Sequence, residues 1–127
     1  MSSRQATFRI EAIHPSLNTW TRQHPMKVAR MKQEYGWFVR VAVQNAIAHR
    51  TWDGRIFEKA RLRVIHHFPD RRRHDPSNFS PKFWEDPLVT LGVLRDDDFD
   101  HISLQIERGE PAKPGWTELI VEEVEHT

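Results

Sequence analysis

The chain has 127 residues, 38% of them apolar, which is enough for one domain with its own core and too little for two. It contains no cysteine, so a disulfide framework and thiolate metal ligation are excluded. A net charge of +1 conceals a division: residues 1–73 carry 15 Lys/Arg against 5 Asp/Glu, and residues 74–127 carry 4 against 13.

Such a split gives either a cationic face for a polyanion beside a separate acidic cluster, or two halves that neutralise each other in the fold. The N-terminal MSSRQATFRI lacks the apolar h-region of a signal peptide, and no apolar run approaches membrane-spanning length. A soluble cytoplasmic protein is expected, with no membrane partner.

Residues 6–13 alternate Phe8, Ile10 and Ala12 with Arg9 and Glu11, the period of a half-buried strand. His14-Pro15-Ser16-Leu17-Asn18 breaks it, and a loop runs to Pro25, a residue suited to the first turn of a helix. From Pro25 to Arg50, Val28, Met31, Tyr35, Phe38, Ala42 and Ala46 recur at spacings of three and four, predicting an amphipathic helix. Lys27, Arg30 and Arg40 lie off that stripe, as solvated charge or as phosphate contacts. After a turn at Asp53-Gly54, residues 57–68 alternate again. Ala60, Leu62, Val64, His66 and Phe68 face one side; Lys59, Arg61, Arg63, Ile65 and His67 make a basic outer face.

The next stretch, PDRRRHDPSNFSPKFWEDPLVTLGVLRDDDFD (69–100), carries the chemistry. A basic run meets a lone carboxylate, Asp75, and the stretch closes on Asp96, Asp97, Asp98 and Asp100. Cations beside carboxylates that meet only on folding suit a metal-dependent phosphodiester site. The alternative is two unrelated solvated turns, with Asp75 before Pro76 no more than a helix cap. Ser80 as cap and Pro81 at the first position predict a short helix to about Asp86, ended or bent by Pro87. Leu88, Leu91, Val93 and Leu94 then read as core, and Gly92 as a turn. Residues 101–107 form a strand with Ile102, Leu104 and Ile106 on one face, 109–115 a turn, and 116–124 a final strand antiparallel to the one before it. The order β-α-β-α-β-β predicts an α+β fold: a single domain over 1–127, with a mixed sheet of about four strands and two helices packed on it.

In order and spacing these elements resemble the RusA-type Holliday-junction resolvases, small homodimeric Mg²⁺-dependent endonucleases of phage and prophage. The likeness rests on HPSLN (14–18), PDRRRHDPSN (69–78), Lys82 with Asp86, LVTLGVL, Asp96-Asp97 and PAKPGWTELIVEEV. It implies catalytic and metal-binding roles for Asp75 and Asp97 with Asp96 beside them, Lys82 as catalytic lysine, Asn78 as the Asn of a D-x-D-N element and Asp86 as a supporting acid. Arg71, Arg72, Arg73, His74, Asn18, Lys27 and Asn78 would contact nucleic acid, and Ser77 would stand with the catalytic residues, lending a hydroxyl or positioning a metal-bound water. Three departures stand out: Ser77 replaces the second aspartate, His74 replaces an arginine, and one extra residue lies between Asn78 and Lys82, with Pro81 in that interval.

The activity this implies is paired nicking of four-way DNA junctions in recombination and repair, by a homodimer whose symmetry matches its substrate. Mg²⁺ needs one or two carboxylates, so Asp75 and Asp97 meet the minimum. With neutral Ser77 the expectation is weaker metal binding than at a three-carboxylate site, with Mn²⁺ a possible substitute. The competing expectation is a catalytically weakened or inactive relative that binds branched DNA without cutting; a phosphodiesterase on RNA or small nucleotides is a third. Structural zinc is not expected, because His66 and His67 point to opposite faces of a strand. Trp20 is a candidate for stacking on an unpaired base, or for filling core or a dimer interface.

Overall fold

Period-two alternation of buried and open positions builds three of the four strands, the third in chain order, at a sheet edge, being the exception. In this computed structural model, which describes residues 4–125, the elements are β1 (Gln5–Ile10), α1 (Leu17–Trp20), α2 (Pro25–Ala48), β2 (Ala60–His67), a 3-10 turn (Pro76–Asn78), α3 (Lys82–Thr90), β3 (Ile102–Arg108) and β4 (Trp116–Glu123). The fold is α+β, a single mixed sheet in the order β1-β4-β2-β3. Inward residues Ala6, Phe8, Ile10, Ala60, Leu62, Val64, Leu119 and Val121 are buried. They meet Val39, Ala42, Val43 and Ala46 of α2 and Phe83, Trp84 and Leu88 of α3 in one core. No described helix is long and apolar enough to cross a membrane; residues 1–3 of the N-terminal stretch lie outside the described residues.

The final strand departs from expectation. β4 does not pair with β3; it pairs antiparallel with both β1 and β2, while β3 lies parallel to β2 at the sheet edge. The seven residues 109–115 cross the end of β2, with Gly109 N–H donating to His66 C=O and Ala112 N–H to Phe68 C=O. The chain thus re-enters the sheet on the far side of β2. β1 stops at Ile10, earlier than the alternation suggests; its ladder with β4 ends at the Ile10–Thr117 pair, next to the start of β4 at Trp116.

The helices differ in detail as well. α1 sits in a segment read as loop: Ser16 Oγ accepts the Thr19 N–H at 3.3 Å, and four residues are too few to show a period. α2 starts at Pro25, capped by His24 Nδ1, and ends at Ala48 because Arg50 adopts φ 59°, the left-handed conformation of a helix stop. α3 runs through Pro87 to Thr90, past the break expected there. Pro87 removes one backbone donor, and burial of Phe83, Trp84 and Leu88 outweighs that loss at about 1.5–3 kcal/mol per large side chain. Pro81 takes the cap position expected for Ser80, its carbonyl accepting the Trp84 and Glu85 N–H groups. β2 begins at Ala60, with Phe57 buried before it in an isolated bridge to Leu94.

The other face of the sheet is open. There Arg63 makes a two-point ion pair with Glu107 of β3, Nε to Oε2 at 2.8 Å and Nη2 to Oε1 at 3.1 Å. Leu104, expected inward with Ile102 and Ile106, is 42% exposed, since β3 is an edge strand.

Candidate functional site

Two loops and the start of α3 carry the candidate residues. Beyond β2, Asp70 organises the basic run: its Oδ1 accepts the Arg72 N–H at 3.0 Å and lies 3.0 Å from His74 Nε2. The His74 contact, followed by Arg72, pulls the Asp70 carboxyl down to about 2. The His74 ring stacks on Phe68 at 3.9 Å, so it braces the loop rather than standing free in solvent. Arg72 and Arg73 are exposed and face Asp70 and Asp75 respectively, and Arg71 has no ion-pair partner among the described residues.

Asp75 precedes the 3-10 turn, yet its carboxylate makes no capping hydrogen bond. It accepts from Arg73 Nε at 3.2 Å instead. Asp75 thus holds the cap position of the turn, its carbonyl accepting the Asn78 N–H at 2.9 Å, while its carboxylate is left free of capping. Ser77 is exposed on the turn, and Asn78 Oδ1 accepts the Asn18 N–H at 2.9 Å. That bond ties the loop after β1 to the loop after β2, although 60 residues separate the two in sequence. Lys27, in the first turn of α2, is exposed and has no ion-pair partner among the described residues.

The strongest convergence lies at α3. Lys82 Nζ donates to Asp97 Oδ2 at 2.9 Å and stands 3.7 Å from Asp86 Oδ1 one helical turn away. The hydrogen bond raises the Lys82 pKa and lowers that of Asp97, so both remain charged near neutrality. Asp97 owes its position to the loop: Asp96 Oδ1 accepts the Asp97 N–H at 2.8 Å, and Asp98 Oδ1 accepts the N–H groups of Asp100 and His101. Of the four acids in that loop, Asp97 is the one drawn inward, with 21% of its side chain exposed.

Glu85, three residues after Lys82, escaped the sequence reading. It is 5% exposed, and desolvation pushes its pKa up to about 7 against the pull of Lys82, with Asp97 and Asp86 adding to the rise. A carboxyl poised near neutrality beneath a lysine–aspartate pair is a candidate for proton transfer. Only its i,i+3 spacing from Lys82 could have pointed to it. A second hidden feature is the buried pair His14 and His66, ring centroids 5.1 Å apart, among Phe79, Phe83 and Trp84. Trp20 joins that aromatic group edge-on to Phe83, which favours its core-filling alternative.

Asp75 and Asp97 answer to different cations, Arg73 and Lys82. Among the described residues, the three-residue set with ligand atoms all within 4.8 Å of one another is Asp96, Asp98 and His101, which contains neither. By donor type Asp75, Asp96 and Asp97 fit Mg²⁺ or Mn²⁺, since all are hard oxygen ligands on exposed or half-exposed loops. No family model matches this chain, and no curated protein matches it.

Proposed function

We propose that this protein is a metal-dependent endonuclease of the RusA resolvase type that nicks branched DNA, four-way junctions above all. The observation that carries the reading is the Lys82–Asp97 contact, which brings the lysine of α3 and a loop carboxylate 15 residues away into one charged couple with Asp86. The Asn18–Asn78 bond supports it by joining the two other segments on which the likeness rests.

In this reading Lys82 neutralises charge developing on the phosphoryl oxygens, and its bond to Asp97 fixes where that charge sits. Asp97, Asp96 and Asp75 would hold Mg²⁺ or Mn²⁺, which when bound lowers the pKa of water and polarises the phosphate. Glu85, with a pKa of about 7, is placed to give or take a proton near Lys82. Arg71, Arg72, Arg73 and Lys27 contact flanking phosphates without reading sequence. Two-fold symmetric junctions call for two such centres, hence a homodimer in the cytoplasm.

One observation favours the second reading, a relative that binds branched DNA without cutting it. Asp75 is engaged by Arg73 and stands outside the close ligand set found among the described residues, and Ser77 supplies no charge. A labelled four-way junction and a linear duplex of equal length, each with Mg²⁺, Mn²⁺ or EDTA, separate the two. Paired nicks on the junction that require metal support the nuclease. Tight junction binding with no nick under either metal supports the binder.

A further inference from the structure

Beside Lys82 the surface opens into a groove of about 530 Å³ between α2 and α3. Its floor is Gly36, Phe83 and Pro87, and Trp37, Lys32 and Arg40 stand on its α2 wall. We infer that this groove seats an unpaired DNA strand, one splayed base stacking on Trp37 while Lys32 and Arg40 hold the phosphates on either side. The inference rests on the nuclease reading and extends it, naming single-stranded DNA as what the enzyme holds next to its reacting centre.

Four observations converge. Trp37 is 62% exposed, whereas Trp52 and Trp84 are buried and Trp20 and Trp116 half-buried. A tryptophan presented to solvent beside cations is a stacking platform for any base. Lys32 and Arg40 are exposed and have no ion-pair partner among the described residues, in contrast to Arg4, Arg63 and Arg95, which are paired. Eight residues apart on a helix, they lie about 12 Å from each other along the axis, with Trp37 between. The charge of the α2 wall thus complements a polyanion.

Gly36 is the third observation. Glycine is the poorest helix former after proline, yet it stands within α2, where an added Cβ would meet only Pro87 Cγ at an ordinary 3.7 Å. A methyl would fit there, so the fold alone does not demand glycine, and its absence leaves that stretch of the groove open. The fourth is continuity. Lys82 and Asp86 form the end of the groove, so a strand lying in it arrives at the Lys82–Asp97 couple. Lys32 also lines a second depression with Trp20, which itself touches Phe83 next to Lys82.

The test is binding of a fluorescent twelve-residue oligothymidylate, a four-way junction and a blunt duplex in EDTA, which keeps binding apart from cleavage. The proteins are wild type, Trp37→Ala and Gly36→Leu. Loss of one base-stacking contact predicts oligothymidylate binding weaker by about tenfold in Trp37→Ala. Gly36→Leu places a side chain in the groove and is expected to weaken binding similarly, and its melting curve is recorded to show that α2 and α3 stay packed. If both variants bind oligothymidylate as wild type does while wild type still binds the junction, the groove inference fails and the nuclease reading stands. If wild type binds none of the three DNAs, both fail. If sedimentation shows that Trp37→Ala turns a dimer into a monomer, the groove is a contact between copies of the chain and the inference is overturned.

Discussion

Glu85 and His66 are both buried, and their protonation acts on stability in opposite directions. Glu85 titrates near 7 in the fold against an ordinary 4.5, so the native state holds its proton more tightly than the unfolded chain. The stability linked to that proton is present below about 4.5 and is lost as pH rises through 7, on the order of 3 kcal/mol. His66 is held neutral, its pKa lowered to about 3 chiefly by desolvation and next by His14, itself lowered by burial. Its contribution is full above 6.5 and is lost as pH falls toward 3, on the order of 5 kcal/mol. Denaturant melts between pH 4 and 8 should show Glu85→Gln gaining on wild type as pH rises from 4.5 to 7. His66→Leu should gain on wild type as pH falls below 6.5. Parallel curves for all three proteins would mean that neither group is desolvated as described.

At the scale of elements, the crossing from β3 to β4 sets the topology, and Gly109 is its tightest point. A Cβ there would collide with the His67 imidazole, whose Nδ1 lies 2.7 Å from the Glu110 carbonyl and whose ring stacks on Trp116 at 4.1 Å. Gly109→Ala should therefore cost about 1–3 kcal/mol in thermal or chemical unfolding. A neutral result would mean that the connection shifts freely, leaving the position of β4 unexplained. The same crossing shows the limit of sequence reading. Alternation at Phe8–Ile10, Ala60–His66 and Leu119–Val121 is a local signal and located the strands. The neighbour of β4 depends on where residues 109–115 travel, which no periodicity records. Pro87 misled for a related reason, because a local helix breaker was overruled by the packing of Phe83, Trp84 and Leu88. In the candidate site, Lys82 and Asp97 were legible as residue types, and the fold brings them into contact. Glu85 was not, since its burial depends on α3 lying over the core.

For the molecule as a whole, the opposed charges of its two halves are neutralised in part within the fold. Arg4 pairs with Glu123, Arg63 with Glu107 and Arg95 with Glu58, each pair joining one half to the other. The cations of α2, Lys27, Arg30, Lys32 and Arg40, are not neutralised in this way among the described residues. Lys32 and Arg40 line the groove with Lys82, which brings positive charge up to the Lys82–Asp97 couple, while Lys27 and Arg30 lie round the other side of the helix. The most direct measurement is single-turnover cleavage of a four-way junction in Mg²⁺ by wild type, Asp97→Asn and Lys82→Ala, with junction affinity measured in parallel. The account predicts a rate lower by at least about a hundredfold in both variants, with affinity little changed, because the couple acts on the reacting phosphate. Cleavage by both variants at the wild-type rate would contradict it and place the reacting centre elsewhere.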